Sequence, residues 1–220
     1  MGELEVVFLD VGGVLYRDDG YREALRRALR ELGGAFTDEE FDAEYARCRR
    51  AQAGSFRRHL ARRFLGEGAD VGAVERHAAP WWRYGPDDLE PGAREVVPVL
   101  AHRYRLGLIA NQPSAVREAL IRDGLDEHFE VRLVSEDVGI EKPDPEIFRR
   151  ALERASVEPE RATMVGDRLD HDVRPARAAG MRAVWMLRGE APDDPTPEQL
   201  EEADAVVRSL AELPATLEAL

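Results

Sequence analysis

The sequence predicts an α/β fold, a doubly wound parallel sheet with an all-α insertion after its first strand. Three observations carry this. Residues 4–9 form a short apolar run that ends abruptly in Asp10, with Gly12 and Gly13 just beyond; so short a run, partly β-branched, is a buried strand. From residue 91 onward, short apolar runs alternate with helical patterns, the order that builds parallel βαβ units with right-handed crossovers. Between the two, residues 17–88 show helical spacing and no strand signal. The predicted division is a core of residues 1–16 and 89–220 and a helical insertion of residues 17–88.

Within the insertion, Tyr21, Leu25, Leu29 and Leu32 recur at helical spacing until Gly33 and Gly34 stop them. Thr37 with Glu40 has the capping-box form, and the helix it opens carries Phe41, Tyr45 and Cys48 on one face. Ser55 caps a third helix with Phe56, Leu60 and Phe64 inward, and residues 71–84 form a fourth that ends near Gly85 and Pro86. In the core, strands are expected over residues 106–110, 131–134, 162–165, 182–186 and 205–207. Helices are expected over 92–102, 113–123, 144–155, 170–179 and 209–220. The acidic, proline-containing stretch 189–204 is expected to be a loop or short helix, with 190–204 a solvated connection. Because the insertion leaves directly after Asp10–Gly13, it can overhang the sheet edge to which Asp10 belongs.

Composition narrows the function. A chain of 220 residues with 44% hydrophobic and 34% charged residues of both signs folds rather than staying disordered. Its net charge of −13 argues against a nucleic-acid partner held through phosphates. It leaves room for a small phosphorylated ligand, because a local site can oppose the global sign. The lone Cys48 excludes an intrachain disulfide and a cysteine metal cluster. No leader pattern and no apolar run of ~20 residues is present, so the expectation is a cytoplasmic protein with no membrane partner. Lys and Arg together number 31, yet Lys142 is the one lysine.

The ends of the predicted strands gather chemistry. One strand ends in Asp10, the next in Asn111 and Gln112, and the strand at 162–165 in Gly166 and Asp167, with Asp172 five residues on. Lys142 lies in the loop after the strand at 131–134. In a parallel sheet these ends share one edge, the edge at which open α/β sheets bind ligands. Clustered carboxylates need a cation at neutral pH, and hard oxygen donors without Cys or a His cluster suit Mg²⁺. A lysine beside them supplies a compact charge for a phosphate, and an Asp there can act as a nucleophile.

In order and spacing these residues resemble the haloacid dehalogenase superfamily, in the branch with a helical cap inserted after the first motif. The match runs over nearly the whole chain: Asp10 with Gly12, Gly13 and Val14; Ala110–Asn111; Gly139 through Lys142 to Phe148; and Gly166-Asp167 through Asp172. The third and fourth motifs are the most specific. If Arg and Lys were interchangeable, the single lysine would fall on the third-motif position with odds of roughly one in thirty; at a phosphate-bridging position they are not interchangeable. The resemblance implies a core of Rossmann-like type and a small phosphorylated substrate. It implies Asp10 as nucleophile through an aspartyl-phosphate, and Mg²⁺ held by Asp10, Asp167 and the Gly12 carbonyl. Lys142 would bridge the phosphate and Asp10, and Asp172 would orient Lys142 or a metal-bound water, counting it with the metal set. Gly12, Gly13, Asn111 and Lys142 are the implied phosphate contacts.

Two positions depart from the family pattern. The general acid/base Asp usually found two residues after the nucleophile is Gly12, and the Ser or Thr that usually ends the second motif is Ala110. A general acid or base contributes about 10²–10⁴-fold. Asp18, Asp19, Asp170, His171 or a cap residue stand as substitutes, with His171 expected to face solvent. Gly12→Asp is expected to raise turnover if the proton carrier is missing. Three functions remain open: a slow or selective Mg²⁺-dependent phosphatase, a 2-haloacid dehalogenase-type hydrolase, and a phosphate-binding or regulatory protein without turnover. Arg17, Arg57 and Arg58 are candidate anion contacts in the insertion, and Trp81 and Trp82 candidate apolar walls.

Overall fold

The computed structural model describes residues 3–220. Its centre is a six-stranded, all-parallel sheet in the order β3-β2-β1-β4-β5-β6. The strands are β1 (Val6–Leu9), β2 (Arg105–Ala110), β3 (Phe129–Val134), β4 (Ala162–Gly166), β5 (Arg182–Met186) and β6 (Ala205–Val207). β1 lies between β2 and β4, and the strand order reverses at β1/β4, which is where open parallel sheets place their ligands. The four residues of β1 are all buried, as expected of a strand covered on both faces. Phe8 lies opposite Gly107 on the neighbouring strand. A side chain at Gly107 would collide with the Phe8 ring, its Cβ falling 2.5 Å from Cδ1, so the glycine there makes room for an aromatic core residue.

Each face of the sheet has its own apolar core. One gathers Val7, Leu9, Leu108 and Leu100 under α5 (Ala93–Arg103) and the closing helix (Leu213–Ala219). The other gathers Phe8, Ile109, Met164, Phe148 and Trp185 under the helix Pro145–Ala155. The insertion has a third core of its own, formed by α1 (Asp19–Glu31), α2 (Asp38–Ala51), α3 (Phe56–Leu65) and α4 (Val71–Ala78), with Leu25, Leu29, Phe41, Leu60 and Val74 fully buried. Thr37 and Glu40 make the expected capping box, and Ser55 caps α3.

The structure differs from the sequence expectation in four places. α4 stops at Ala78 rather than running to residue 84, since Pro80 has no N–H to continue the ladder. The expected helix over 113–123 begins only at Val116. Residues Leu169–Val173 form a π-turn before the helix Arg174–Ala178. The acidic stretch 190–204 holds a short helix, as expected, but is not simply solvated. Ala191 is fully buried, and Pro197–Leu200 is a short helix opened by a capping box of Thr196 and Gln199.

That acidic stretch and the π-turn dock the insertion on the core. Tyr45 Oη donates to Glu190 (2.9 Å), and Arg49 Nε to the Ala191 carbonyl (2.8 Å). Gln52, the left-handed residue that ends α2, is fully buried. Its Nε2 donates to the Glu190 carbonyl (2.8 Å), and its Oε1 accepts from the Leu169 N–H (2.8 Å). Arg168 donates to the Gly54 carbonyl (2.8 Å) and lies over the Phe56 ring, 4.0 Å from its centre.

Candidate active site

Asp10 follows β1 directly, where its backbone N–H still donates to Val165 (2.9 Å). The chain then turns tightly on the Val11 carbonyl, which accepts from Leu15 (2.8 Å) and Tyr16 (2.9 Å). The Gly12 carbonyl accepts none of the hydrogen bonds that hold this turn. Lys142 arrives from the loop after β3 and is 2% exposed. Its Nζ is 2.9 Å from Asp10 Oδ2 and 2.6 Å from Asp172 Oδ1. Burial alone pulls the ammonium down, but the two carboxylates outweigh it and hold Lys142 above its ordinary value. Asp10 feels the same balance from the other side: burial raises it more than Lys142 lowers it, and its carboxyl is pushed up to about 6.

Asp167, after β4, is 2% exposed and faces a different neighbourhood. Its Oδ2 accepts from the Glu190 N–H (2.6 Å). Burial, then Asp18, Asp172 and Asp10, push its carboxyl well above the usual range. Asp10, Asp167 and Asp172 each offer a carboxylate oxygen, all within 4.8 Å of one another. Among the described residues, Lys142 is the one cation within ion-pairing distance of that trio. Three hard carboxylates sharing one ammonium fit a divalent oxygen-seeking ion such as Mg²⁺.

Glycines open the space for these acids. A Cβ at Gly13, which has φ +69°, would meet Asp167 Cγ at 2.5 Å, and one at Gly166 would overlap the Asp172 carboxyl. One at Gly12 would fall 3.0 Å from Asp18 Cγ and closer still to Oδ1. The volume into which a side chain at position 12 would project is therefore filled by the Asp18 carboxyl. A second carboxyl at position 12 would therefore have to share this space with the Asp18 carboxyl or displace it.

Asn111 Nδ2 donates to the Lys142 carbonyl (2.8 Å) and its Oδ1 accepts from the Lys142 N–H (2.7 Å). The side chain clamps the lysine's backbone with one N–H and its oxygen, and keeps a second N–H on Nδ2. Asp172 has both oxygens engaged, Oδ1 by Lys142 and Oδ2 by the Arg168 N–H (3.0 Å), which suits orienting Lys142 better than direct ligation. His171 is half-buried against Asp170 rather than facing solvent (Nδ1 to Oδ1 3.2 Å). Asp170 in turn is held by Arg168 (2.8 Å).

Between insertion and core lies a cavity of about 260 Å³, lined by Arg17, Asp18, Arg22, Arg49, Arg188 and Gly189 among others. Of the expected anion contacts Arg17 lines it, while Arg57 pairs with Glu75 inside the insertion (3.1 Å) and Arg58 lies elsewhere. Trp81 is on the outer surface under Arg27, and Trp82 packs on Tyr21. Arg22, Arg49, Arg188 and Glu90 were not distinguishable in the sequence from the many other charged residues; only their convergence singles them out. A larger hollow of about 580 Å³ opens at the opposite, amino-terminal edge of the sheet. Several of its charges are paired, as in Arg105–Glu130 (2.7 Å) and Arg161–Glu5, and it is remote from Asp10.

Residues 4–180 match the haloacid dehalogenase-like hydrolase family. The phosphoserine phosphatase of Thermus thermophilus is 44% identical over 149 residues, 66% of this chain and 60% of that enzyme, so the match spans less than two thirds of the relative. The glyceraldehyde 3-phosphate phosphatase of Methanopyrus kandleri is 33% identical over 207 residues, 86% of this chain and 87% of that one. Among solved structures, the HAD-type hydrolase YfnB of Bacillus subtilis, bound to magnesium, superposes with a TM-score of 0.73 at 24% identity, covering 98% of this chain and 99% of that one; at that identity the likeness speaks for the fold. The sheet order, the strand-end acids and the match over residues 4–180 converge: the chain belongs to the haloacid dehalogenase-like hydrolases.

Proposed function

We propose that the chain is a Mg²⁺-dependent phosphatase of small phosphorylated metabolites, with residues 17–88 as a cap over the active site. The observation that carries this is the pairing of Asp10 with a buried lysine beside an acid, Asp167, that has no ion-pair partner among the described residues. A lysine so placed keeps Asp10 ionised as a nucleophile and offers its remaining hydrogen-bonding capacity to a phosphoryl oxygen. Asp10 and Asp167, with the Gly12 carbonyl, would hold the metal, which supplies charge neutralisation at the phosphoryl oxygens when bound. Asp172 and Asn111 fix Lys142 from its side chain and its backbone. The turn at Gly12 and Gly13 lets the backbone approach the phosphoryl group.

The named activities of the relatives make phosphoserine and glyceraldehyde 3-phosphate the first substrates to assay. The cavity supports molecules of that size and carries both signs of charge. The test is hydrolysis of a panel of phosphate esters and acyl phosphates with and without Mg²⁺, with Asp10→Asn as control. Mg²⁺-dependent phosphate release that Asp10→Asn abolishes is the expected result. Chloride release from a 2-chloro acid without Mg²⁺ would replace the proposal with a dehalogenase. Binding of Mg²⁺ and a phosphate mimic without turnover would replace it with a binding protein.

A further inference from the structure

Asp18 stands at the N-cap of α1, where an aspartate ordinarily accepts hydrogen bonds from the first turn of its helix. It does not do so here: its side chain makes no capping bond, although its backbone carbonyl starts the helix by accepting from Arg22. The carboxyl turns back instead over the nucleophile's turn. It fills the space in front of Gly12, and its Oδ2 would lie 3.2 Å from a Cβ at Gly189. It also lines the cavity between cap and core. Behind it stands Tyr84, stacked on Tyr16 with ring centres 4.6 Å apart. Tyr84 Oη accepts from Gln112 Nε2 (2.9 Å) and directs its own proton toward Asp18 Oδ1 (3.4 Å).

We infer that Asp18 is the proton carrier of the reaction, delivered from the first residues of the cap into the volume that a side chain at position 12 would occupy. The inference rests on the phosphatase proposal above. In the first step Asp10 attacks phosphorus, the bond from phosphorus to the leaving oxygen breaks, and the Asp18 carboxyl gives its proton to that oxygen. In the second step the Asp18 carboxylate takes a proton from water. The resulting hydroxide attacks phosphorus, the bond to Asp10 breaks, and phosphate leaves. Tyr84 is a positioning residue that fixes the carboxyl's rotamer. Gly12 and Gly189 are the two positions where a side chain would displace it. Because the carboxyl belongs to the cap's first residues, proton transfer and substrate enclosure share one segment.

The test compares Asp18→Asn with the wild type on an alkyl phosphate such as β-glycerophosphate, whose leaving group needs a proton, and on acetyl phosphate, whose leaving group does not. Asp18→Asn should lose about 10²–10⁴-fold in kcat on the alkyl ester. With acetyl phosphate it should still phosphorylate Asp10 but release phosphate slowly, so that acid-quenched protein carries a phosphoryl group detectable by mass. Gly12→Asp alone should be impaired, and Gly12→Asp combined with Asp18→Gly should recover alkyl-phosphate turnover by moving the carboxyl across. Wild-type turnover by Asp18→Asn on the alkyl ester overturns the inference. So does an equal loss on both substrates without trapped phosphoenzyme, which is what a merely structural role produces. Absence of Asp10-dependent hydrolysis in the wild type would instead count against the phosphatase proposal itself.

Discussion

The two halves of the crevice are built on opposite electrostatic plans. On one side, Asp10 and Asp172 share Lys142, with Nζ 2.9 and 2.6 Å from their oxygens. On the other, Asp167 is as buried as Lys142 but meets carboxylates: Asp18, Asp172, Asp10 and Glu190 all push it upward. The first half carries its own counter-ion; the second has acids for neighbours, and the metal proposed above would be its counter-ion. The same residue type at the same depth is therefore a structural asset on one side and a liability on the other. Neutralising each side should move the stability of the metal-free protein in opposite directions.

Lys142→Met breaks the comparison hardest. It removes the cation and leaves two buried carboxylates unpaired, a change that costs about 3–5 kcal/mol in comparable buried pairs. The expected outcome is an urea midpoint far below wild type together with loss of hydrolysis. Lys142→Arg should fail in activity too, since a planar fork does not fit a pocket shaped to a point charge. A Lys142→Met protein as stable as wild type would mean that Asp10 and Asp172 are not both ionised in the fold.

Asp167→Asn sharpens the other half. Removing a like charge should stabilise the metal-free protein and abolish the rise in Tm that the proposed Mg²⁺ site predicts for the wild type. That Mg²⁺ shift should itself depend on pH. The Asp10 carboxyl, pushed up to about 6 from an unfolded value of about 4, holds its proton longer in the folded chain. Its contribution is fully present below about pH 4 and is lost as pH rises through about 6. Metal ligation needs the deprotonated acids, so Mg²⁺ should raise Tm more at pH 7.5 than at pH 5. Equal shifts at both pH values would remove Asp10 from the ligand set.

Why the sequence showed one half better than the other follows from how the residues reach the site. Asp10, Asp167 and Asp172 lie at or just past strand ends, and a parallel sheet brings all strand ends to one edge; Lys142 comes with them in a loop. Their convergence follows from chain order alone. Asp18 reaches the site by leaving the core, starting a helix and turning its side chain back, and an Asp before a helix reads as a cap. Glu190 and Gln52 meet only because the insertion packs on the core, through a left-handed residue at the end of α2 that no glycine announced. Asn111 is a phosphate contact by the resemblance alone; its two bonds to the Lys142 backbone depend on where a loop of another βαβ unit returns. Pro80, by contrast, is legible in the sequence as the residue where the ladder of α4 must end.

The mildest test lies away from the crevice and asks whether a cation alone decides the sign. Asp123 is a fully buried carboxylate between β2 and β3, and it accepts from Tyr16 Oη (2.9 Å), Arg94 (2.8 Å) and Arg122. Burial raises it, as it raises Asp167, but these three donors overcome burial and hold it below the ordinary range. Its contribution is thus present above its unfolded value of about 4 and lost as pH falls through the lower folded value, the reverse of Asp10. Asp123→Asn should cost about 1–3 kcal/mol at neutral pH, less than Lys142→Met because Arg94 and Arg122 keep access to water. Urea unfolding at a series of pH values should show that cost constant from pH 8 to 5 and shrinking below about pH 4. A cost that instead shrinks between pH 6 and 5 would mean that Asp123 titrates with the crevice acids, and that its arginines do not set it apart from Asp167.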